Sequence, residues 1–281
     1  MALVTLQEIL PKRAGDYAVG AFNVHNMEYT QGVISAAEAE KAPVILMIGA
    51  PMIKYFGLGW MAAIGRYAAE SASIPVALHL DHSRDFELIK QAIGCGFSSV
   101  MIDGSGLSFT KNIELTKRVV DFASKAGVSV EGELGAIGGK EDNIETLAGK
   151  LTDPEEAREF VLATGVDALA VAIGNCHGLY TGKPNLDLER LASIKEATTC
   201  PLVLHGGSDL PDIQVQEAIK HGIRKVNVGT ELKIAFRHGV EKALATSDAF
   251  EVPAVLEPAR KAVSELVRTK IRLLGSSGRF G

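Results

Sequence analysis

The fold turns on one stretch: Pro75-Val76-Ala77-Leu78-His79-Leu80-Asp81, then Phe86-Glu87-Leu88-Ile89-Lys90-Gln91-Ala92-Ile93-Gly94-Cys95, then Ser98-Ser99-Val100-Met101-Ile102-Asp103-Gly104. The outer runs are almost continuously apolar, as strands covered on both faces are, and the middle run has the spacing of an amphipathic helix. A strand, a crossover helix and a second strand make a parallel unit. Outward from it the unit repeats, with strands expected at 18–24, 43–49, 129–135, 168–174, 201–207 and 225–230, making eight in all. Helices fit between them at 28–41, 58–71, 86–95, 110–126, 154–164, 186–197 and 211–221. Thr152-Asp153-Pro154-Glu155-Glu156 is a helix start signal, a capping residue before Pro with acids in the first turn. Eight alternating strands predict a (β/α)8 TIM barrel, and 281 residues leave room for one such domain with a C-terminal helical extension at 257–281. An open doubly wound sheet alternates in the same way. Its dinucleotide form needs G-x-G-x-x-G after the first strand, where this chain has Asn23-Val24-His25-Asn26.

Composition excludes several function classes. The net charge is −5 with Lys and Arg scattered, so the chain lacks the basic footprint of a nucleic-acid binder. No apolar stretch approaches the ~20 residues of a membrane span, and Met1-Ala2-Leu3-Val4-Thr5 does not open a signal peptide. The expectation is a soluble, cytoplasmic protein. Cys95, Cys176 and Cys200 are odd in number and lack C-x-x-C spacing, which argues against a disulfide framework and a thiolate zinc site. An acidic chain that handles an anion needs local devices: a metal, backbone N–H groups or one or two cations.

Barrel enzymes place their chemistry at the C-terminal ends of strands. Those ends carry Asn23, His79-Leu80-Asp81-His82, Asp103, Glu131-Gly132-Glu133, Asn175-Cys176-His177, His205-Gly206-Gly207-Ser208 and Asn227-Val228-Gly229-Thr230. Four of the seven histidines lie there, which scattered structural imidazoles would not favour. His82, His177 and His205 come from three strands, so they can converge on one ion and leave a position open for substrate. His79 reads as a supporting or structural residue, and Glu131 as a deeper neighbour of Glu133. Asp81 suits proton transfer beside the metal, with a supporting role for a metal-bound His as the alternative. Glu133 and Asp103 can hold a second or alternative cation. The Gly-rich ends at 206–208 and 227–230 sit where barrels often bind phosphate, although tight packing turns would look similar. The segment 136–151 reads as one long loop.

Two motifs carry a family resemblance: Val76-Ala77-Leu78-His79-Leu80-Asp81-His82, and Val130-Glu131-Gly132-Glu133-Leu134-Gly135-Ala136-Ile137-Gly138-Gly139-Lys140-Glu141-Asp142. The chain resembles the class II, metal-dependent ketose-bisphosphate aldolases along nearly its whole length. Residues 165–174 with His177-Gly178-Leu179-Tyr180, and 225–236, look most like the tagatose-1,6-bisphosphate branch, as do Ser208-Asp209 and Pro211. The resemblance implies Zn2+ held by His82, His177 and His205, and a homodimer or homotetramer acting on a phosphorylated ketose in carbohydrate metabolism. It implies Asp81 as proton donor at the aldehyde oxygen and Glu141 as the base at the carbon that becomes nucleophilic. It also implies dihydroxyacetone-phosphate contacts at Gly178, Gly206, Gly207, Ser208, Asn227, Val228, Gly229 and Thr230, with a monovalent cation (Na+ or K+) near Gly178 and Gly206. The 136–151 loop would close over the site. Tagatose 1,6-bisphosphate stands ahead of fructose 1,6-bisphosphate on these motifs, followed by a deoxy-keto acid phosphate or a sulfonated sugar phosphate. Arg260, Arg272, Arg279 and Lys54 are candidates to read the far anionic group.

Two other classes compete. A metal-dependent hydrolase would want H-x-H on the first strand, where Val24-His25 stands, and a non-catalytic ligand-binding subunit would not need Asp81, Glu141 and three histidines together. A Schiff-base aldolase would need a Lys at a strand's C-terminal end, and Lys225 stands at the start of its strand.

Overall fold

Each expected β-branched run forms a strand. The computed structural model describes residues 3–12, 16–141, 144–146, 149–180, 182–246, 248 and 250–280, with the backbone alone at 140, 141 and 144–146. The strands are β1 (Val19–Asn23), β2 (Val44–Gly49), β3 (Val76–Ser83), β4 (Ser99–Ile102), β5 (Ser129–Leu134), β6 (Gly138–Glu141), β7 (Ile144–Thr146), β8 (Ala168–Val171), β9 (Cys176–His177), β10 (Leu202–Leu204) and β11 (Ile223–Val228). Eight of them close a parallel barrel in the ring order β1-β11-β10-β8-β5-β4-β3-β2. The helices are α1 (Leu6–Ile9), α2 (Met27–Ala39), α3 (Ala50–Phe56), α4 (Leu58–Ser71), α5 (Phe86–Gly94), α6 (Phe109–Ala123), α7 (Pro154–Thr164), α8 (Leu188–Ala197), α9 (Asp212–Lys220), α10 (Thr230–Thr246) and α11 (Val252–Leu273). The (β/α)8 expectation is met. The start signal at α7 works as read: Asp153 Oδ1 accepts from the N–H groups of Glu155 and Glu156 at 2.9 and 3.1 Å.

Strand alternation sorts the side chains into two cores. Leu78, Leu80, Val100 and Ile102 pack outward with Phe97, Phe160 and the helices. Ala21, Met47, Ala77, Met101, Ala170 and Val203 point inward and meet Leu6, Ile9 and Leu10. The short helix α1, fixed by a Thr5–Glu8 capping box, thus plugs the bottom of the barrel. Burying each of those three side chains contributes about 1.5–3 kcal/mol. Above the apolar floor lies a polar layer of His79, Glu131 and Lys225, all fully buried. Above that, at the strand ends, come Asp81, Glu133, His205 and Asn227. On β3 the inward sequence Ala77, His79, Asp81 therefore runs from floor through support to site.

The described part of 136–151, expected as a loop, contains two short strands. β6 and β7 pair antiparallel, and β6 also pairs in parallel with β9, so Gly139 stands opposite His177. At the C-terminus α11 packs on α2 and α10. Glu40, the residue after α2, accepts from Arg268 Nε (2.9 Å), Arg272 Nη2 (2.7 Å) and Ser277 Oγ (2.8 Å). Those contacts, with the Gly278 and Phe280 N–H groups on the Glu40 and Lys41 carbonyls, fasten the tail to the barrel. Among the described residues no helix is long and apolar enough to cross a membrane.

Candidate active site

Asp81 and His82 are consecutive, yet both serve the barrel mouth. The register between β3 and β4 shifts after Leu80, and His82 adopts a left-handed backbone with φ of 44°. Such a bulge re-aims side chains at the end of a strand and stores backbone strain that sites commonly carry. Asp81 consequently points inward, buried, and accepts a 3.0 Å hydrogen bond from Asn23 Nδ2. His82 swings toward β10, where its Nε2 lies 2.8 Å from His205 Nδ1.

The third imidazole comes from β9, which is held in place by two close backbone approaches. A Cβ at Gly139 would lie 2.2 Å from the His177 carbonyl oxygen, and one at Gly206 would lie 2.0 Å from that of Cys176. Both glycines have positive φ, so a side chain at either is excluded on two grounds. His82, His177 and His205 each present a ring nitrogen, and these atoms all lie within 4.8 Å of one another. This is the one such group of potential metal ligands among the described residues.

The donor set fits a metal. His205 Nε2 donates to Glu131 Oε1 at 2.9 Å, which leaves the Nδ1 lone pair directed at His82 Nε2. Two imidazole nitrogens facing at 2.8 Å repel unless a proton or a cation stands between them. Burial pushes His205 down to about 3, so near neutral pH its ring is neutral and offers the Nδ1 lone pair either to a proton on His82 Nε2 or to a cation. Burial opposes the Glu131 carboxylate, but the ammonium of Lys225 at 2.8 Å and the His205 hydrogen bond outweigh it and hold that carboxyl well below its usual range. His79, lowered by burial and neutral, donates or accepts at Ser99 Oγ (2.7 Å) and sits 3.9 Å from Glu131. Glu131 thus orients His205 from beneath, the arrangement that metal-bound histidines generally have. Lys225 is the third residue of β11 and lies deep in the barrel against Glu131, below the mouth.

Asp103 and Glu133 flank the other side of His82, with carboxylate oxygens 3.7 and 3.9 Å from its Nδ1. Burial opposes ionisation of Asp103, yet His82, Ser105 and Arg84 hold it well below the usual range. Glu133 goes the other way, raised to about 7 by burial and by the Asp103 charge. Ser208 Oγ accepts from the N–H groups of Gly229 and Glu231 at 3.3 and 3.4 Å, joining the two Gly-rich ends into one cradle. Val228 packs outward into the core, so only its backbone can serve the cradle. Thr230 opens α10, which presents that helix N-terminus beside the cradle. Tyr180, which the sequence offers only as the last residue of the His177–Tyr180 motif and without a role, braces Gly206 by donating to its carbonyl at 3.2 Å and accepts from Cys176 N at 3.1 Å.

Of the far-anion candidates, Lys54 lies in the last turn of α3, and the three C-terminal arginines make contacts elsewhere. Arg272 pairs with Glu40, Arg279 lies over the Tyr17 ring, and Arg260 donates to Gln31. Glu141 has its backbone in β6, and its side chain lies outside the described residues.

The sequence profile of the family described as fructose-bisphosphate aldolase class-II matches residues 4–279. The chain belongs to that family. A fructose-bisphosphate aldolase of Geobacillus stearothermophilus is 42% identical over 285 aligned positions, which cover 99% of each chain. One from Staphylococcus aureus strain Mu50 is 41% identical with the same coverage. The crystal structure of the YdjI aldolase from Escherichia coli K12 superposes with a TM-score of 0.89 at 37% identity, covering 99% of this chain and 100% of the other. The protein is therefore a class II aldolase, a metal-dependent aldehyde-lyase acting on a phosphorylated ketose.

Proposed function

We propose that this chain reversibly cleaves a ketose 1,6-bisphosphate to dihydroxyacetone phosphate and glyceraldehyde 3-phosphate, with fructose 1,6-bisphosphate as the first substrate and Zn2+ as the metal. The observation that carries this reading is the convergence of His82, His177 and His205 beside buried Asp81. The names of the 42% and 41% identical relatives put the fructose epimer ahead of tagatose 1,6-bisphosphate, reversing the order that the 165–180 and 225–236 motifs suggest.

His82, His177 and His205 would hold the zinc. When bound, it supplies Lewis acidity at the ketose carbonyl, worth several kcal/mol toward the charge that develops as the C–C bond breaks. Asp81, steadied by Asn23, takes the proton of the C4 hydroxyl during cleavage and returns it during condensation. Glu141 returns a proton to the carbon left behind, and the β6–β7 hairpin that carries it excludes water from that step. The cradle of Gly206 to Ser208 and Asn227 to Thr230, with Gly178, binds the 1-phosphate through its backbone N–H groups and the Ser208 hydroxyl, while the Gly207 N–H ties the two loops together by donating to the Asn227 carbonyl at 2.9 Å. Asp103 and Glu133 offer an alternative cation position next to His82. A monovalent cation near Gly178 and Gly206 would offset phosphate charge, and the working form is a homodimer or homotetramer.

The experiment is direct. Zinc-loaded protein is given the fructose and tagatose bisphosphates, and triose phosphate is measured by a coupled assay. Faster turnover of the fructose epimer is expected, and release of triose phosphate from neither would overturn the proposal.

A further inference from the structure

The far end of the substrate has a place in this fold. A cavity of about 320 Å³ opens beside the histidine trio, walled by Gly49, Ser83, Arg84, Asp103 and Glu133 from the ends of β2 to β5. The Gly-rich cradle comes from β10 and β11. In the ring order, β3 and β4 stand opposite β10 and β11. A ketose with its 1-phosphate in the cradle and its carbonyl at the trio must direct its remaining carbons across the barrel, into this cavity.

That wall is acidic, with Asp81, Asp85, Asp103 and Glu133, and Arg84 is the one Arg or Lys lining it among the described residues. Arg84 Nε donates to Asp103 Oδ2 at 2.9 Å, and Nη2 forms an ion pair with the same oxygen at 2.8 Å. Asp103 is fixed in turn through its Oδ1, which accepts from the backbone N–H (3.1 Å) and hydroxyl (2.6 Å) of Ser105. The guanidinium is therefore braced along one edge, while its side chain remains 59% exposed and its Nη1 edge makes no hydrogen bond with a described residue. A planar fork held this way is suited to a second oxyanion and costs little entropy to use. Without it, an acidic wall would repel an anionic substituent.

We propose that Arg84 is a specificity-determining residue that binds an anionic group (phosphate, carboxylate or sulfonate) on the carbons released as the aldehyde. The inference rests on the aldolase reading, because the direction of the substrate follows from it. It replaces the C-terminal arginines as readers of the far group.

The test uses binding, so it does not depend on turnover. Zinc-loaded Asp81→Asn protein, with and without Arg84→Met or Arg84→Lys, is titrated calorimetrically with fructose 1,6-bisphosphate, its 6-carboxylate analogue, its 6-sulfonate analogue and fructose 1-phosphate. At least one charged ligand should bind more tightly than fructose 1-phosphate, and its identity selects the anion. Arg84→Met should weaken that ligand roughly 10- to 150-fold, the range for charge-assisted hydrogen bonds, while leaving fructose 1-phosphate and zinc content unchanged. Arg84→Lys should fall between. Equal weakening of all four ligands would show that Arg84 merely supports Asp103 and would overturn the proposal, as would no weakening or no preference for any charged ligand. Failure of the wild-type protein to cleave any ketose 1-phosphate would instead refute the proposed function, leaving the binding result to decide on Arg84.

Discussion

Lys225→Met probes the support beneath the histidine trio. Lys225 Nζ lies 2.8 Å from Glu131 Oε2, and both side chains are fully buried. The next cationic candidate, His79 Nε2, is 3.9 Å from that carboxylate and is kept neutral by burial. Removing the ammonium leaves a carboxylate with only the His205 hydrogen bond to offset its desolvation. Breaking a buried pair from one side costs about 3–5 kcal/mol, a large share of the 5–15 kcal/mol that typically separates folded from unfolded protein. The sign of the pH dependence follows. In the wild type the Glu131 carboxyl is lowered, so its contribution is present above the ordinary value of 4.5 and is lost as pH falls below it. In the variant the same carboxyl should be raised by burial, so its ionisation destabilises at high pH and the penalty shrinks on acidification. Urea unfolding of both proteins at pH 5 and pH 8 should show the larger difference at pH 8. Adding Glu131→Gln to Lys225→Met should recover most of the loss, because no charge is then left unpaired. A single-variant cost under ~1 kcal/mol, the scale of an exposed pair, would refute the reasoning.

Two further outcomes follow from named contacts. Glu40→Gln removes the acceptor of Arg268, Arg272 and Ser277 and should cost about 1–3 kcal/mol at pH 7, the range for hydrogen bonds to a charged group. The Arg272 hydrogen bond, working against burial, holds Glu40 down at about 2, so this cost should be full above 4.5 and disappear in urea titrations as pH falls toward 2. Gly139→Ala would press a methyl group on the His177 carbonyl and strain a φ of 106°. It should lower zinc affinity roughly 10- to 100-fold, the range for displaced ligand supports, as read by competition with a chelator.

What the sequence revealed, and what it hid, divides along physical lines. Barrel strands are covered on both sides, so their apolar runs stand out, and helix α7 begins at Pro154 where its capping signal places it. The histidine trio was visible because strand ends define one face of the barrel. Helix α1 has four residues and no periodicity to display, and its role as a plug depends on a barrel interior that only closure creates. The β6–β7 hairpin was hidden because Gly138 and Gly139 read as loop, although glycine is what lets that strand approach His177. Lys225 stands at the wrong end of its strand for chemistry, and its pairing with Glu131, three strands away round the ring, is a long-range contact that leaves no local trace. Arg84 carries no local signal, because a charged residue after a strand usually reads as solvated surface.

Asp81→Ala in the zinc-loaded enzyme tests the account at its centre. Asp81 accepts from Asn23 and contributes no nitrogen ligand to the trio, so bound zinc should stay near one per chain. Triose phosphate release from fructose 1,6-bisphosphate should fall about 10²- to 10⁴-fold, the contribution of a positioned acid–base group. Zinc retention with wild-type cleavage would contradict the role given to Asp81. Loss of zinc together with activity would contradict the separation of metal binding from proton transfer on which the account stands.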